Sequence, residues 1–417
     1  MTSTSDPSST HPDRTVERVY RAEWGRLLSL LVARTRRLDL AEDALGEAFA
    51  RAAERWPAEG LPASPTAWLY TTAHRLVVGR LRAEAVAGRK APLLAVSAGW
   101  EQPEDASEGW ADDRLQLILL CCHPALSRES QSALALRLVI GTPTEQIARL
   151  FLVEPATMAA RVTRAKKKIV LAGIPLGAPV EDELRSRLDE VCRTIYLAFT
   201  AGYTPGSGPD LLRADLAGDA VRLAALLHEL VPEAAQVSAM LALLLLQHSR
   251  RDARVHAGRL VTLAEQDRSS WHQDEIRAAL DVATGLQPSD GYAEELRLQV
   301  LIAAEHAQAP TADATDWAAI TGHYADLEAL TGSAVVRLNR AVAVAEVEGV
   351  EAGLVLLAGL DDLLDGNHRL HAVRADLAER AGDLDLAVAS YRKAIDRCAN
   401  EVERAHLSDR LAALEGP

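Results

Sequence analysis

Apolar residues recur every three to four positions along most of the chain, the period of a helix with one buried face. Between Val16 and Val32, Val19, Tyr20, Leu27, Leu28 and Leu31 fall on a common side. A second helix is expected from Asp39, a plausible cap, through Ala41–Phe49 to about Trp56. Pro57, Gly60, Pro62 and Pro65 then break the pattern. A third helix is expected from about Thr66 to Ala85, with Trp68, Leu69, Leu76 and Leu81 as its buried side. Periodicity disappears over residues 86–109, where glycine, proline and acidic residues collect as in a linker. It returns from Asp112 to about Lys168 and is broken again by Gly173, Pro175, Gly177 and Pro179.

From Glu181 onward the pattern is a succession of amphipathic helices. Ala334–Gly359 and Leu370–Asn400 each read as helix, short polar turn, helix, with Gly349 and Gly382 at the turns. That spacing is close to the roughly 34-residue period of tetratricopeptide repeats (TPR), and Ala387, Tyr391 and Ala394 suit its small and aromatic packing positions. The expected fold class is all-α. The expected division is a tail over 1–15, a small helical domain over 16–85, a linker over 86–109, a second small domain over 110–175, and a TPR-like extension over 181–417.

Composition agrees with helices. Aromatics are only 4% while Ala and Leu are abundant, and strands favour aromatic and β-branched residues. The net charge of -14 argues against nucleic acid as a partner until the chain is divided. Residues 1–175 hold 23 Lys+Arg against 20 Asp+Glu, leaving 22 against 39 for the remainder. The first part can approach a phosphate backbone, and the second is repelled by it.

Other classes are disfavoured. No run approaches the roughly 18 apolar residues of a membrane span, and the N-terminus lacks the basic start and apolar core of a secretory signal. Cys121, Cys122 and His123 lack zinc-knuckle spacing and read as core residues, so no metal or other cofactor is expected. There is no P-loop, nucleophile elbow or His-Glu-x-x-His pattern, and Gly202–Gly208 lacks a phosphate-loop lysine. A reduced, cytoplasmic protein without enzymatic activity is expected.

The most informative local pattern begins at Thr142. Thr144–Phe151 and Pro155–Lys168 read as two short helices joined by a tight turn, with Ile147, Phe151, Val153, Met158 and Val162 forming their shared core. Ala148 is small where the helices would cross, and Pro155 suits a first helical position. This is helix-turn-helix patterning. The second helix carries Thr157, Arg161, Arg164, Lys166, Lys167 and Lys168, which can meet base edges and phosphates in a major groove.

In this context the chain resembles the sigma-70 family of RNA polymerase subunits, in its extracytoplasmic-function branch. Asp39, Glu42-Asp43 and Glu47-Ala48-Phe49 resemble the helix by which that family binds core polymerase. The resemblance implies contacts from Asp39, Glu42, Asp43, Glu47 and Phe49. Pro65–Tyr70, Ala73-His74-Arg75 and Arg80-Leu81-Arg82 resemble the helix that opens the −10 element, which implies roles for Trp68, His74, Arg75, Arg80 and Arg82. Leu115–Leu126 and the helix-turn-helix resemble the −35-binding domain. The extension carries what look like recurring motifs of one subgroup: Tyr196, Gly202-Tyr203, Ser207–Asp210, His248–Arg251, Gln266–Trp271 and Leu338–Ala343. The chain departs from the pattern at Arg75, where Asn is usual, at Gly79, where Asp is usual, and at Glu265, where Asp is usual.

The resemblance implies core RNA polymerase and promoter double-stranded DNA as partners. The extension is acidic and so repelled by phosphates, and its stacked helix pairs suit protein partners; it is expected to regulate activity in cis and to be open to a regulatory protein. The alternative is a helix-turn-helix activator with a TPR-like sensor. It would bind DNA alone and would have no use for the Asp39–Arg82 block.

Overall fold

The computed structural model describes residues 12–86, 113–151, 153–171, 181–203 and 214–416. Most of the expected tail and linker, the Gly173–Pro179 breaks and the Ser207–Asp210 motif lie outside these residues. The chain divides into two compact units, Met1–Thr194 and Ile195–Pro417.

The first unit is built from α1 (Pro12–Thr35), α2 (Leu38–Glu59), α3 (Pro65–Val86), α4 (Asp113–Cys121), α5 (Arg128–Ala135), α6 (Thr144–Leu150), α7 (Pro155–Leu171) and the first half of α8 (Glu181–Tyr203). α1, α2 and α3 pack on one another. Leu27, Leu28, Leu31, Leu45 and Ala48 fill their centre. On α3 the buried line is Leu69, Ala73 and Val77, at i, i+4 and i+8. The expected line included Leu76 and Leu81, which are only half-buried; the small Ala73 allows the closer approach along the neighbouring stripe.

α5 runs into a π-helical turn, Leu136–Ile140, ended by Gly141 in the left-handed region at φ +76°. A side chain there would be strained and would press on the Trp24 ring. α6 and α7 form the helix-turn-helix, with Pro155 opening α7 as expected. Ile147, Ala148, Met158 and Val162 are buried between them, while Phe151 and Val153 are half-buried at the turn.

The second unit continues α8 through α9 (Ala214–Leu230), α10 (Ala235–His248), α11 (Gln273–Thr284), α12 (Gly291–Gln308) and α13 (Trp317–Thr331). It ends with α14 (Ala334–Glu348), α15 (Val350–Leu356), α16 (Asp361–Leu364), α17 (His368–Ala381), α18 (Leu384–Arg397) and α19 (Glu401–Glu415). α10 is apolar nearly all round and almost wholly buried. Between α10 and α11 lies a two-residue antiparallel pairing, Val255–His256 with Arg259–Leu260. The α14/α15 and α17/α18 pairs turn at Gly349 and Gly382, both at positive φ. Ala387, Tyr391 and Ala394 are buried at the α17/α18 packing. No described helix is long and apolar enough to cross a membrane.

Candidate functional site

The α7 helix presents Thr157, Arg164, Lys167 and Lys168 to solvent, while Met158, Val162, Ala165 and Ile169 face inward. The alternation follows from helical period: apolar residues at i, i+4, i+7 and i+11 leave the basic positions outside. Arg161 lies with its guanidinium 5.9 Å from the Phe151 ring centroid, which restricts its rotamers beside the turn. Lys166 behaves differently. Its ammonium donates to the Glu42 carboxylate at 2.7 Å, across from α7 to α2.

The carboxylates of α2 therefore have separate situations. Asp39 accepts two hydrogen bonds from Arg37, at 2.9 and 2.7 Å, and that guanidinium holds its carboxyl below the usual range. Glu42 is nearly buried under Lys166. Glu47 pairs with Arg51 and, at 2.8 Å, with Arg80 of α3. Asp43 is exposed. Phe49 is buried in this structure, its ring 5.0 Å from Tyr20 and 5.9 Å from Trp24. An aromatic ring at this helical spacing is drawn into the core, so Phe49 positions α2 rather than projecting from it.

On α3, Arg75 and Arg82 are exposed, and Gly79 has open space around it. Trp68 is half-buried edge-on against Trp56, ring centroids 5.6 Å apart. His74 stacks on Tyr70; burial, then the charge of Arg34, lowers its pKa. Arg80, tied to Glu47, links the α2 and α3 faces.

The first half of α8 belongs to this same unit. Arg187 donates to the Leu119 carbonyl at 2.9 Å, Glu190 pairs with Arg128 at 3.3 Å, and Thr194 lies 3.5 Å from the Cys122 sulfur. Periodicity in the sequence does not specify this docking, because an apolar stripe names no partner. Cys121 and Cys122 are buried thiols, as expected, and burial pushes Cys122 up to about 12. His123 accepts from the Ala125 N–H at its Nδ1.

The extension motifs converge on structural clips. Arg251 reaches the Glu275 carboxylate at 2.8 Å and the His248 carbonyl at 3.0 Å, joining the end of α10 to α11. Burial pushes the Glu275 carboxyl up, but His248 and Arg251 beside it bring it below its ordinary range. Arg268 donates to the His306 and Ala309 carbonyls at 2.8 and 2.7 Å, closing the C-terminal end of α12 where a cation also favours the helix dipole. Trp271 lies between the Arg250 and Arg268 guanidinium groups, at 5.7 and 5.3 Å. Glu265 accepts from the Thr262 N–H and hydroxyl.

Farther on, His368, Cys398 and Glu403 bring their donor atoms within 4.8 Å of one another. Hydrogen bonding to Cys398 and then to Glu403 raises His368 to about 9. Arg369 adds positive charge 3.4 Å from Glu403. The group is an ion pair closing α17 against α19.

The first compact unit thus combines a three-helix domain with a helix-turn-helix domain whose second helix is basic on its outer face. Residues 19–86 match sigma-70 region 2, residues 116–169 match sigma-70 region 4, and residues 187–285 match a family of unknown function, DUF6596. An uncharacterized protein, R00370, of Rhizobium meliloti (strain 1021) is 39% identical over 390 residues, covering 91% of each chain. The chain belongs to the sigma-70 family, as an extracytoplasmic-function type factor with a C-terminal extension.

Proposed function

We propose that this chain binds core RNA polymerase through α2, opens the −10 element with α3, reads the −35 element with α7, and is regulated in cis by its extension. The observation that carries the reading is α7. Its apolar residues are spent on the helix-turn-helix core, which leaves Thr157, Arg164, Lys167 and Lys168 outward as a row suited to a major groove. Asp43 is the exposed carboxylate of the α2 segment, and Arg75 and Arg82 are the exposed cations of α3. Such a protein works in the cytoplasm, where polymerase and promoters are.

For the extension we favour a supporting role over that of a removable plug. Its first helix supplies Arg187, Glu190 and Thr194 to the packing of region 4. Its paired helices suit a TPR-like scaffold, and the exposed Val355 and Leu363 offer apolar contact to a regulatory protein. Run-off transcription with core polymerase tests the whole reading. Initiation that requires both this chain and core enzyme is the expected result; DNA binding and activation without the chain joining core would favour the activator instead.

A further inference from the structure

Near the end of the extension, three residues meet from three helix ends. His368 opens α17, Cys398 follows the last residue of α18, and Glu403 lies in the first turn of α19. Among the described residues they form a group of metal-ligating types whose donor atoms all lie within 4.8 Å of one another. Neighbouring side chains fix these ends. Asn367 caps α17 by accepting from the Arg369 N–H at 3.0 Å. Asn400 accepts from the Val402 and Glu403 N–H groups, each at 3.0 Å, and its carbonyl lies 3.4 Å from the Cys398 sulfur. The thiol is buried, at 3% exposure, whereas the His368 and Glu403 side chains reach solvent at 23% and 17%. An ion therefore has a way in past the imidazole and carboxylate to a sulfur shielded from water.

We propose that His368, Cys398 and Glu403 form a binding site for a zinc-class divalent cation, which ties the start of α17 to the turn between α18 and α19. The donor set selects the ion. One thiolate, one imidazole and one carboxylate match zinc and its borderline neighbours, whereas calcium and magnesium take oxygen donors. Two anionic donors also balance the charge of a divalent ion. Around tetrahedral zinc, with bonds of roughly 2.0–2.3 Å, ligand atoms stand about 3.3–3.6 Å apart. His368 Nε2 and Glu403 Oε2 are 2.9 Å apart and the sulfur lies within 4.8 Å of both residues' donors, so side-chain shifts of about an ångström complete three corners. Water takes the fourth. Arg369 approaches Glu403 Oε1 at 3.4 Å and leaves Oε2 on the His368 side, which is the outer hydrogen bonding that orients a ligating carboxylate. Without metal the group is the ion pair described above. On binding, the Cys398 thiol and the His368 imidazolium each release a proton to solvent, and the cation takes their place. The site depends on no part of the reading in the preceding subsection.

The test uses the full chain, stripped with a chelator and titrated with Zn²⁺ or with Co²⁺ as its coloured substitute. One equivalent of Co²⁺ should bind and give the intense visible bands of a tetrahedral centre together with a thiolate-to-cobalt charge-transfer band. Added Zn²⁺ should displace the cobalt and bleach both. Cys398→Ser should abolish the charge-transfer band, and His368→Gln and Glu403→Gln should each weaken binding by roughly tenfold or more. Zn²⁺ at roughly a hundredfold over its Kd should raise the melting transition of the extension by about 5–10 °C in the wild type and leave that of Cys398→Ser where it was. Circular dichroism of the stripped variants checks that their helices survive, and the wild-type cobalt spectrum is decisive even where they do not. The other cysteines, Cys121, Cys122 and Cys192, are buried in the first unit. A sulfur band that outlives Cys398→Ser in a folded chain would therefore put the metal elsewhere. That result, cobalt bound without any sulfur band, no cobalt bound, or a melt that zinc leaves unchanged would each overturn the site.

Discussion

The Arg187 guanidinium donates to the backbone carbonyl of Leu119 at 2.9 Å, with Arg187 only 5% exposed. A residue of the extension thus completes region 4. Removing it leaves a buried acceptor without that donor, so Arg187→Ala should lower unfolding stability by about 1.5–3 kcal/mol. Denaturant melts of the full chain measure this. Cutting the chain after Val180 should be harsher, because Leu188 and Val191 are removed with it. A region 4 that melts unchanged in both variants would show the docking to be energetically idle.

On the proposed reading, Arg161 and Arg164 meet base edges, and Lys167 and Lys168 meet phosphates. Arg161→Ala or Arg164→Ala should cost about 1–3 kcal/mol of promoter binding and relax sequence preference at one position. Lys167→Ala and Lys168→Ala should weaken binding to all duplexes alike and flatten its salt dependence. Footprints of the holoenzyme at several salt concentrations separate the two behaviours. Identical losses on every sequence from the arginine variants would remove base reading from α7.

On α2, charge reversal and ring truncation should act by different routes. Asp43→Lys leaves an exposed helix position exposed and should shift stability by no more than about 0.5 kcal/mol while weakening co-purification with core polymerase. Glu47→Lys should weaken core binding as well, but it also repels Arg80 and loosens α3. Phe49→Ala opens the Tyr20–Trp24 aromatic cluster and should cost about 3–5 kcal/mol of stability. Core binding that survives Asp43→Lys and Glu47→Lys together would take α2 out of the interface.

His368 gives the extension a pH dependence. An unfolded histidine titrates near about 6.5, whereas Cys398 and Glu403 raise the folded one to about 9. The folded state holds the proton more tightly, so this stabilisation is complete below about pH 6.5 and is lost as the pH rises through about 9. With solvent screening at a partly exposed site, about 1–2 kcal/mol is expected. Thermal melts of wild type and His368→Gln should differ most near about pH 6 and converge above about pH 9. A gap that stays constant with pH would mean the imidazole acts only by packing.

Much of this protein was legible along the chain because helices announce themselves locally. The starts of α6 and α7 follow from Thr144 and Pro155, and the basic row on α7 follows from helical period alone, whereas α2 starts at Leu38 after Arg37 rather than at an Asp39 cap and runs through Pro57 to Glu59 before Gly60 ends it. The resemblance implies a contact role for Phe49, but the sequence does not reveal that its ring packs on Tyr20 and Trp24 of another helix. The same limit applies to α3, where the choice between the Leu76 and Val77 stripes depended on what packed against it.

The sequence by itself determined the all-α fold class, the helix-turn-helix and the charge division between its parts. These depend on neighbours within a few residues, where backbone geometry sets the spacing. Tertiary structure decided that Lys166 faces Glu42, that Gly25, against the Val139 carbonyl, must lack a side chain, and that Arg187 belongs to region 4. Each joins positions far apart in the chain, and an apolar stripe or a lone charge carries no record of which distant partner will lie against it.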